Sequence, residues 1–596
     1  GDDIQQFQGV RAEPNFSFSN LATLAQDAPT QETGVMYSPL TGKPVLWEWS
    51  AASTSLGLFV EDTWKVRKNL TLNLGLRWDD QGNPYSRNAT TVFGNFYLGS
   101  GQTFNEQVAN GYSKATPHAI AHAITNLFSP RFGYAWDPTG KGEWVLRGGA
   151  GIFNNWLSSA NVQNIYRGNP PGPIVPTFSA TGTVHPLFVL GNGSQKPPYG
   201  YTYPPLVGSP LCPTLSGANG CLDAQGGIVG GGLQIGGIDP HIKSPQAYIF
   251  ATTLEHNIAR RYSASIGYQG AHATDLVGDG NMQGIVSYGV DINAVPGDLI
   301  QHESLTPTRP NPSFGEIIYT RNDRESNYNA VFFDFRGRFP RGFFDASYTR
   351  SRSNDDAGSY PTAADPHQYY GPSPWDVPNR FSLMLNYQLP VFSAQRGFVG
   401  HAAGGWGISN TTMVQSGYPF TVIARGPFIP QCINGTSITN PSACPSFADP
   451  IIGYAPGSGD YNADGDYGQE NGLGAPVSLD YPQPTSYAEA RSRHAYLTGV
   501  FFHGEFTPPA FSPNGAEGNE KPQQFREPNF AESDVCLYKD THITERIHFQ
   551  LRFDFFNIFN HVNLDNIDNN FLDGTFGQTL SQENPRNWTL GARIMF

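Results

Sequence analysis

No stretch of this 596-residue sequence approaches the ~20 consecutive apolar residues that a membrane-crossing helix needs. Charge is scarce as well: Asp, Glu, Lys and Arg make up 14% of the chain, and their balance is acidic, at −14. An acidic surface argues against nucleic acid as a partner, because phosphate binding needs a basic footprint. There are only five cysteines. Cys212 and Cys221 share one Gly/Pro-rich stretch and Cys432 and Cys444 another, so two local disulfides are expected, as suits an oxidising compartment; the alternative is thiols that never meet. Cys536 falls in a predicted strand with no evident partner. No G-x-S-x-G elbow, P-loop or C-x-x-C pair occurs, so catalysis has no positive support. The opening GDDIQQFQGV has neither a basic n-region nor an apolar h-region, so these residues are not expected to be a signal peptide. It reads as though already inside a strand, which leads us to expect a fragment of a longer precursor.

What is present is aromatic, Gly and Pro: 13% aromatic residues, 67 Gly and 48 Pro. This profile suits strands joined by long irregular loops. The strands show strict alternation. In LTLNLGLRW (70–78), Leu70, Leu72, Leu74, Leu76 and Trp78 alternate with polar or small residues, the period-two signature of a strand with one apolar face. IHFQLRFDF (547–555) and WTLGARIMF (588–596) repeat it. Further strands read near 3–11, 55–66, 129–136, 144–153, 246–258, 262–274, 327–339, 343–353, 380–389, 405–423 and 531–540. That makes about fourteen, each near the ~9–11 residues with which a tilted strand crosses a bilayer. An overall hydrophobic content of 38% fits such strands, because only alternate residues face lipid.

The connections discriminate between membrane and soluble architectures. Short or moderate links (66–69, 137–143, 259–261, 340–342, 390–404, 540–545) alternate with long ones (79–128, 154–245, 275–326, 354–379, 424–530, 558–586). In an antiparallel meander, all tight turns then lie at one end and all large loops at the other. Outer-membrane barrels have this asymmetry, with short periplasmic turns and long extracellular loops; a soluble sandwich has no reason to keep it. The fold class expected is therefore all-β, a transmembrane antiparallel β-barrel. Arg77, Arg147, Asp334, Arg336, Arg552, Asp554 and Arg593 fall on the polar faces and are expected to line the lumen.

These segments carry a resemblance. LFVEDTWKVRKNLTLNLGLRWD (58–79) resembles a strand pair of TonB-dependent outer-membrane receptors. FSPRFGYAWDPTGKGEWVLRGGAGIF (128–153), SNYNAVFFDFRGRFPRGFFDASYTRSRS (326–353), GGWGISNTTMVQSGYPFTV (404–422), LRFDFFNIFNHVN (551–563) and NPRNWTLGARIMF (584–596) resemble, in that order, the Oar-like branch. The resemblance spans nearly the whole chain and is weakest in the large loops. It implies a 22-stranded barrel filled by an N-terminal plug, energised through the TonB complex for uptake or export of a sizeable ligand such as a glycan, peptide or chelate. The plug, the TonB-contacting box and the carboxypeptidase-regulatory-like domain of that branch are not seen in 1–596. The chain is therefore expected to be the C-terminal part of such a barrel, with about eight strands of a 22-stranded wall outside it. The resemblance also implies that the last strand, through Trp588, Leu590, Ile594 and Phe596, is read by the barrel-assembly machinery; the simpler reading is that these residues only face lipid.

Two motifs touch on metals. GDYNADGDYGQEN (459–471) places Asp460, Asn462, Asp464, Gly465 and Asp466 like the opening of a calcium loop. The twelfth position is Asn471 and Glu470 stands one residue early, which leaves a looser Ca2+-stabilised extracellular loop or a solvated Asp/Gly turn. HAIAH puts His118 and His122 at helical two-ligand spacing without the metalloprotease Glu, and reads as a short loop helix. Asp355 and Asp356 read as charges on a solvated loop tip. Two other function classes stay open: a passive pore or adhesin-like surface barrel, and a soluble β-rich binding protein or glycan-active enzyme.

Overall fold

The computed structural model describes residues 2–9, 15–18, 21–25, 31–33, 47–87, 93–155, 169–170, 172, 177–179, 222–227, 233, 235–259, 261–277, 290–293, 309–315, 317–356, 367, 370–422, 432–433, 436–437, 492–501, 523–544, 546–569 and 574–596. Among the described residues thirteen long strands follow one another as an antiparallel meander: β1 (Leu56–Arg67), β2 (Leu70–Asp80), β3 (Leu127–Trp136), β4 (Trp144–Asn154), β5 (Gln246–Ile258), β6 (Tyr262–Leu276), β7 (Arg324–Phe339), β8 (Gly342–Asp355), β9 (Asn379–Gln388), β10 (Trp406–Gln415), β11 (Phe530–His542), β12 (His548–Phe556) and β13 (Asn587–Met595). The two-residue strand Gly371–Pro372 pairs with the end of β8 and completes a fourteen-stranded sheet. The segment expected as a strand at 3–11 is a strand, Asp2–Gly9, but it lies outside this sheet. It pairs with Trp47–Thr54, immediately before β1. No helix among the described residues is long and apolar enough to cross a membrane.

The cross-strand register sorts the side chains. Leu74 faces Phe132 across β2–β3, Leu254 faces Ile266 across β5–β6, Phe333 faces Tyr348 across β7–β8, and Phe553 faces Leu590 across β12–β13. Followed strand by strand, these pairs belong to one continuous apolar face. Its large side chains stay exposed along the sheet, Leu74, Phe132, Ile266, Phe333 and Leu590 among them. A protein core would bury such a face, whereas a bilayer covers it.

Aromatic residues mark the ends of that face. Trp64, Trp136, Trp144 and Trp406 all fall on it within a few residues of a short turn. Trp144 stacks on His256 with ring centroids 3.9 Å apart. The Lys539 ammonium lies 5.6 Å from the Trp406 ring centroid and donates to the carbonyls of His401 and Gly404, so its stem lies along apolar surface while its head reaches the turn. At the other end stand Tyr248, Tyr268 and Tyr348, with Tyr248 stacked on His272. Two aromatic belts flanking an apolar band are the signature of a membrane-spanning barrel wall.

The tight turns follow from local chemistry. In the β3–β4 turn the Asp137 carboxylate accepts from the backbone N–H groups of Thr139, Gly140 and Gly142, and Gly140 and Gly142 adopt left-handed backbone at φ +69° and +72°. Asp137 also exchanges backbone and side-chain bonds with Asn69 in the neighbouring turn. Burial pushes the Asp137 carboxyl up, but the hydrogen bonds from Gly142, Thr139 and Gly140 outweigh it and leave the group below its ordinary value.

Candidate binding surface

The seven charged residues expected on one face do share one. Arg77 faces Ser129, Ala135 faces Arg147, Arg147 faces Thr253, Ser265 faces Asp334, Ser263 faces Arg336, Cys536 faces Asp554, Arg552 faces Tyr538 and Gly591, and Gln550 faces Arg593. Carried along the register, all seven lie on the face opposite the apolar one. Several are paired there: Arg77 donates to Asp79 at 2.7 Å, Arg147 to Glu255 at 3.1 Å and Arg552 to Asp554 at 2.9 Å, while Ser265 donates to Asp334 at 3.2 Å. The face is not wholly polar: Phe153 lies on it, with the Arg131 guanidinium 4.8 Å from its ring centroid. Cys536, a free thiol, also lies on it.

Above the wall, the long loops pack into structures with their own cores. Phe96, Val108, Ile235, Ile292, Phe314, Ile317 and Tyr319 form one buried cluster drawn from three successive loops. Phe420, Val422, Tyr496, Val500, Phe501, Phe525, Ile567 and Phe576 form another from the last two long loops, with Phe501 stacked on Phe576 at 5.4 Å. Burial and the negative charge of Asp239 push the Tyr319 phenol up, so it stays neutral.

Buried asparagines bind these loops to one another. Asn311 is fully buried; its amide donates to the carbonyls of Val108 (2.9 Å) and Gly111 (3.1 Å), and its backbone N–H donates to the Asn293 side chain at 2.7 Å. Asn169 donates to the carbonyls of Gly94 and Gly236 and accepts from the Gly236 N–H. Asn95 exchanges two bonds with the backbone of Ile238 in the same way. A primary amide offers both donors and acceptors, so each Asn mimics a length of partner backbone where loops far apart in sequence meet. These residues are not legible in the sequence, since nothing local distinguishes a bridging Asn from a turn Asn.

The last long loops carry an ion pair and a cavity. Arg526 pairs with Asp376, which is buried and accepts from the Ser353 N–H at 2.7 Å. Beside it, Glu527, Arg493, Tyr496 and His561 line a cavity of about 260 Å³. Burial, aided by the charge of Asp565, pushes the Glu527 carboxyl up to about 7.

Several expected sites are placed differently or fall outside the description. Asp356 is not a solvated tip charge: it is 2% exposed, accepts from the Glu325 N–H at 2.6 Å and meets the His367 ring at 2.5 Å. The segment holding His118 and His122 is not helical. Ala119 and Ile120 are drawn into a buried cluster there, while both imidazoles stay exposed, so the helical two-ligand spacing does not arise. Asp460, Asn462, Asp464 and Asp466 lie outside the described residues, as do Cys212, Cys221 and Cys444 and the side chain of Cys432. Trp588, Leu590 and Ile594 are exposed on the outermost strand, and Phe596, just past its end, is completely exposed. Among the described residues no group of three or more His, Cys, Asp or Glu could hold a metal.

A family model described as an outer membrane beta barrel domain matches residues 3–589. The chain belongs to that family. It is an outer-membrane β-barrel chain of a Gram-negative bacterium, and the apolar face described above is its lipid face. Solved structures similar to it include the ferripyoverdine receptor of the outer membrane of Pseudomonas aeruginosa (10% identity, 93% of this chain and 40% of that one, TM-score 0.36). They also include the ferric citrate transporter FecA (9%, 93% and 47%, 0.36) and the outer membrane transporter YddB from Escherichia coli (10%, 95% and 60%, 0.38). The chain spans between 40% and 60% of the length of these proteins. No curated protein matches it.

Proposed function

We propose that residues 1–596 form the C-terminal wall of a TonB-dependent receptor of the Oar-like branch, which captures a sizeable ligand at its loops and moves it through the barrel. The observation that carries this reading is the loop assembly, whose cores and buried amide bridges hold a built surface above the wall. In this reading Arg77, Arg147, Asp334, Arg336, Arg552, Asp554 and Arg593 line the lumen beneath that assembly. The plug that gates it and contacts the TonB complex is supplied by chain outside 1–596.

The wall supports the same reading. Among the described residues, β1 and β13 each pair on one side only, and every residue of β1 is exposed. Such edges call for more wall, as a wider barrel would supply. The ligand is of glycan, peptide or chelate type, and Ca2+ at Asp460, Asn462, Asp464 and Asp466 would stiffen one of the loops that select it.

The test uses the full-length protein in its outer membrane, given fluorescent peptide and oligosaccharide pools with and without a protonophore. Uptake that needs the protein and collapses with the proton-motive force is expected. Uptake indifferent to the protonophore, with a steady open conductance in planar bilayers, would replace this reading with the passive pore.

A further inference from the structure

Charged side chains are rare within the apolar outer face, and two of them stand together. The register places Arg350 between Val331 and Asn379, and Arg352 opposite Asn329. Both arginines therefore share the face of Phe344 and Tyr348 and point outward, away from the lumen. They sit where that face changes character. On β7 the apolar run Phe333, Val331 gives way to Asn329 and Asn327. On β9 Phe381 gives way to Asn379, and on β8 Tyr348 gives way to Arg350. This is the long-loop end of the band, so the arginines lie at the upper membrane boundary. An outward arginine is costly at the bilayer midplane and nearly free at the interface, which agrees with their position.

The surroundings form a receptive cleft. Tyr268, Asn329, Arg350 and Arg352 line an open cavity of about 480 Å³, bounded by Pro372 and Pro378. Among the described residues the one carboxylate on its wall, Asp376, is buried and already paired with Arg526. Among the described residues neither arginine has a carboxylate within ion-pair distance. Their bonds go to neutral amides instead: Arg350 to Asn379 at 2.9 Å and Arg352 to Asn354 at 3.4 Å. Asn379 also accepts from the Tyr348 hydroxyl, and Asn329 from the Tyr268 hydroxyl at 2.6 Å, so the amides are held in place. Two exposed guanidiniums on adjacent outward positions of one strand offer forked donors matched to a phosphate group.

We propose that this cleft is a binding site for a phosphate-bearing lipid of the outer leaflet, gripped by Arg350 and Arg352 with Tyr268 and Asn329 beside them. The site is separate from the uptake route, since it lies on the outer face, and it does not depend on the transport reading.

The experiment inserts the full-length protein into phosphatidylcholine nanodiscs, adds bis-phosphorylated or dephosphorylated lipid A, and counts retained lipid by native mass spectrometry. Retention of the phosphorylated form alone is expected, weakened roughly tenfold in Arg350→Gln/Arg352→Gln. Arg350→Lys/Arg352→Lys should fall between, because it keeps charge but loses the fork, and it serves if the Gln variant fails to insert. Equal retention of both lipids, or of lipid by wild type and Gln variant, overturns the proposal. Displacement of the lipid by millimolar inorganic phosphate also overturns it, by making the cleft a free-anion site.

Discussion

Arg147 on β4 reaches diagonally across the strand pair to Glu255 on β5, its guanidinium 3.1 Å from the carboxylate, while the residue directly opposite it is Thr253. The Arg147 side chain is 56% exposed. A pair this wet gains little, so a double-mutant cycle on Arg147 and Glu255 should give a coupling below about 1 kcal/mol, reduced further by salt. Urea titration of protein refolded in lipid vesicles measures it.

The opposite face should respond very differently. Phe333 and Asp334 are neighbours on β7 but point to opposite sides, with Ser347 facing Asp334. Phe333→Arg should cost about 2–4 kcal/mol in the same vesicle assay, because it puts a cation against hydrocarbon. Ser347→Arg, on the polar face, should cost under about 1 kcal/mol.

Removing the Asn311 side chain leaves the buried carbonyls of Val108 and Gly111 without their donor. Asn311→Ala should therefore destabilise the loop assembly by at least about 2 kcal/mol. Limited proteolysis should show faster cleavage in the loops, while the heat-modifiable gel mobility of the barrel stays as in wild type.

Glu527 gives the last long loops a pH dependence. Its folded-state carboxyl holds a proton up to about pH 7, well above the ordinary carboxylate range. The folded state thus binds that proton more tightly than the unfolded chain. Its contribution to stability is full below the ordinary range and is lost as pH rises through about 7. Protection factors around Tyr496 and Phe525, with the intrinsic pH dependence of amide exchange divided out, should be higher at about pH 5 than at about pH 8, and Glu527→Gln should flatten that difference.

The terminal strand tests the assembly reading. Trp588, Leu590 and Ile594 face Phe555, Phe553 and Phe549 of β12, and Phe596 is fully exposed. Deleting Phe596 in the full-length protein should slow insertion in cells while leaving the folded protein's urea midpoint in vesicles nearly unchanged. Normal insertion would mean that these residues serve lipid contact alone.

The wall was legible because strand alternation is a local signal with a long-range consequence. Leu70 to Trp78 reveals its apolar face without reference to any other strand, and the alternation of short and long links then fixes the meander. The loops were not legible for the converse reason. Asn169 bonds to Gly94 and Gly236, residues far away in sequence, so its role exists only once two loops have met. Asp356 shows the same limit: an Asp-Asp pair after a strand reads as a solvated turn, and only the return of Glu325 and His367 buries it. The segment at 3–11 is legible as a strand, but its pairing with Trp47–Thr54 is not, since alternation does not name the neighbour.

One face of this wall is expected to meet lipid and the other to line the lumen. Single cysteines at Thr71, Leu72, Asn73, Leu74, Gly75 and Leu76, placed in full-length protein lacking its native cysteines, test it directly in the outer membrane. Fluorophores at Leu72, Leu74 and Leu76 should be quenched by nitroxide-bearing lipid, and those at Thr71, Asn73 and Gly75 by an aqueous quencher. Uniform aqueous quenching at all six positions, or a reversed alternation, would show that the two faces are not divided between lipid and lumen.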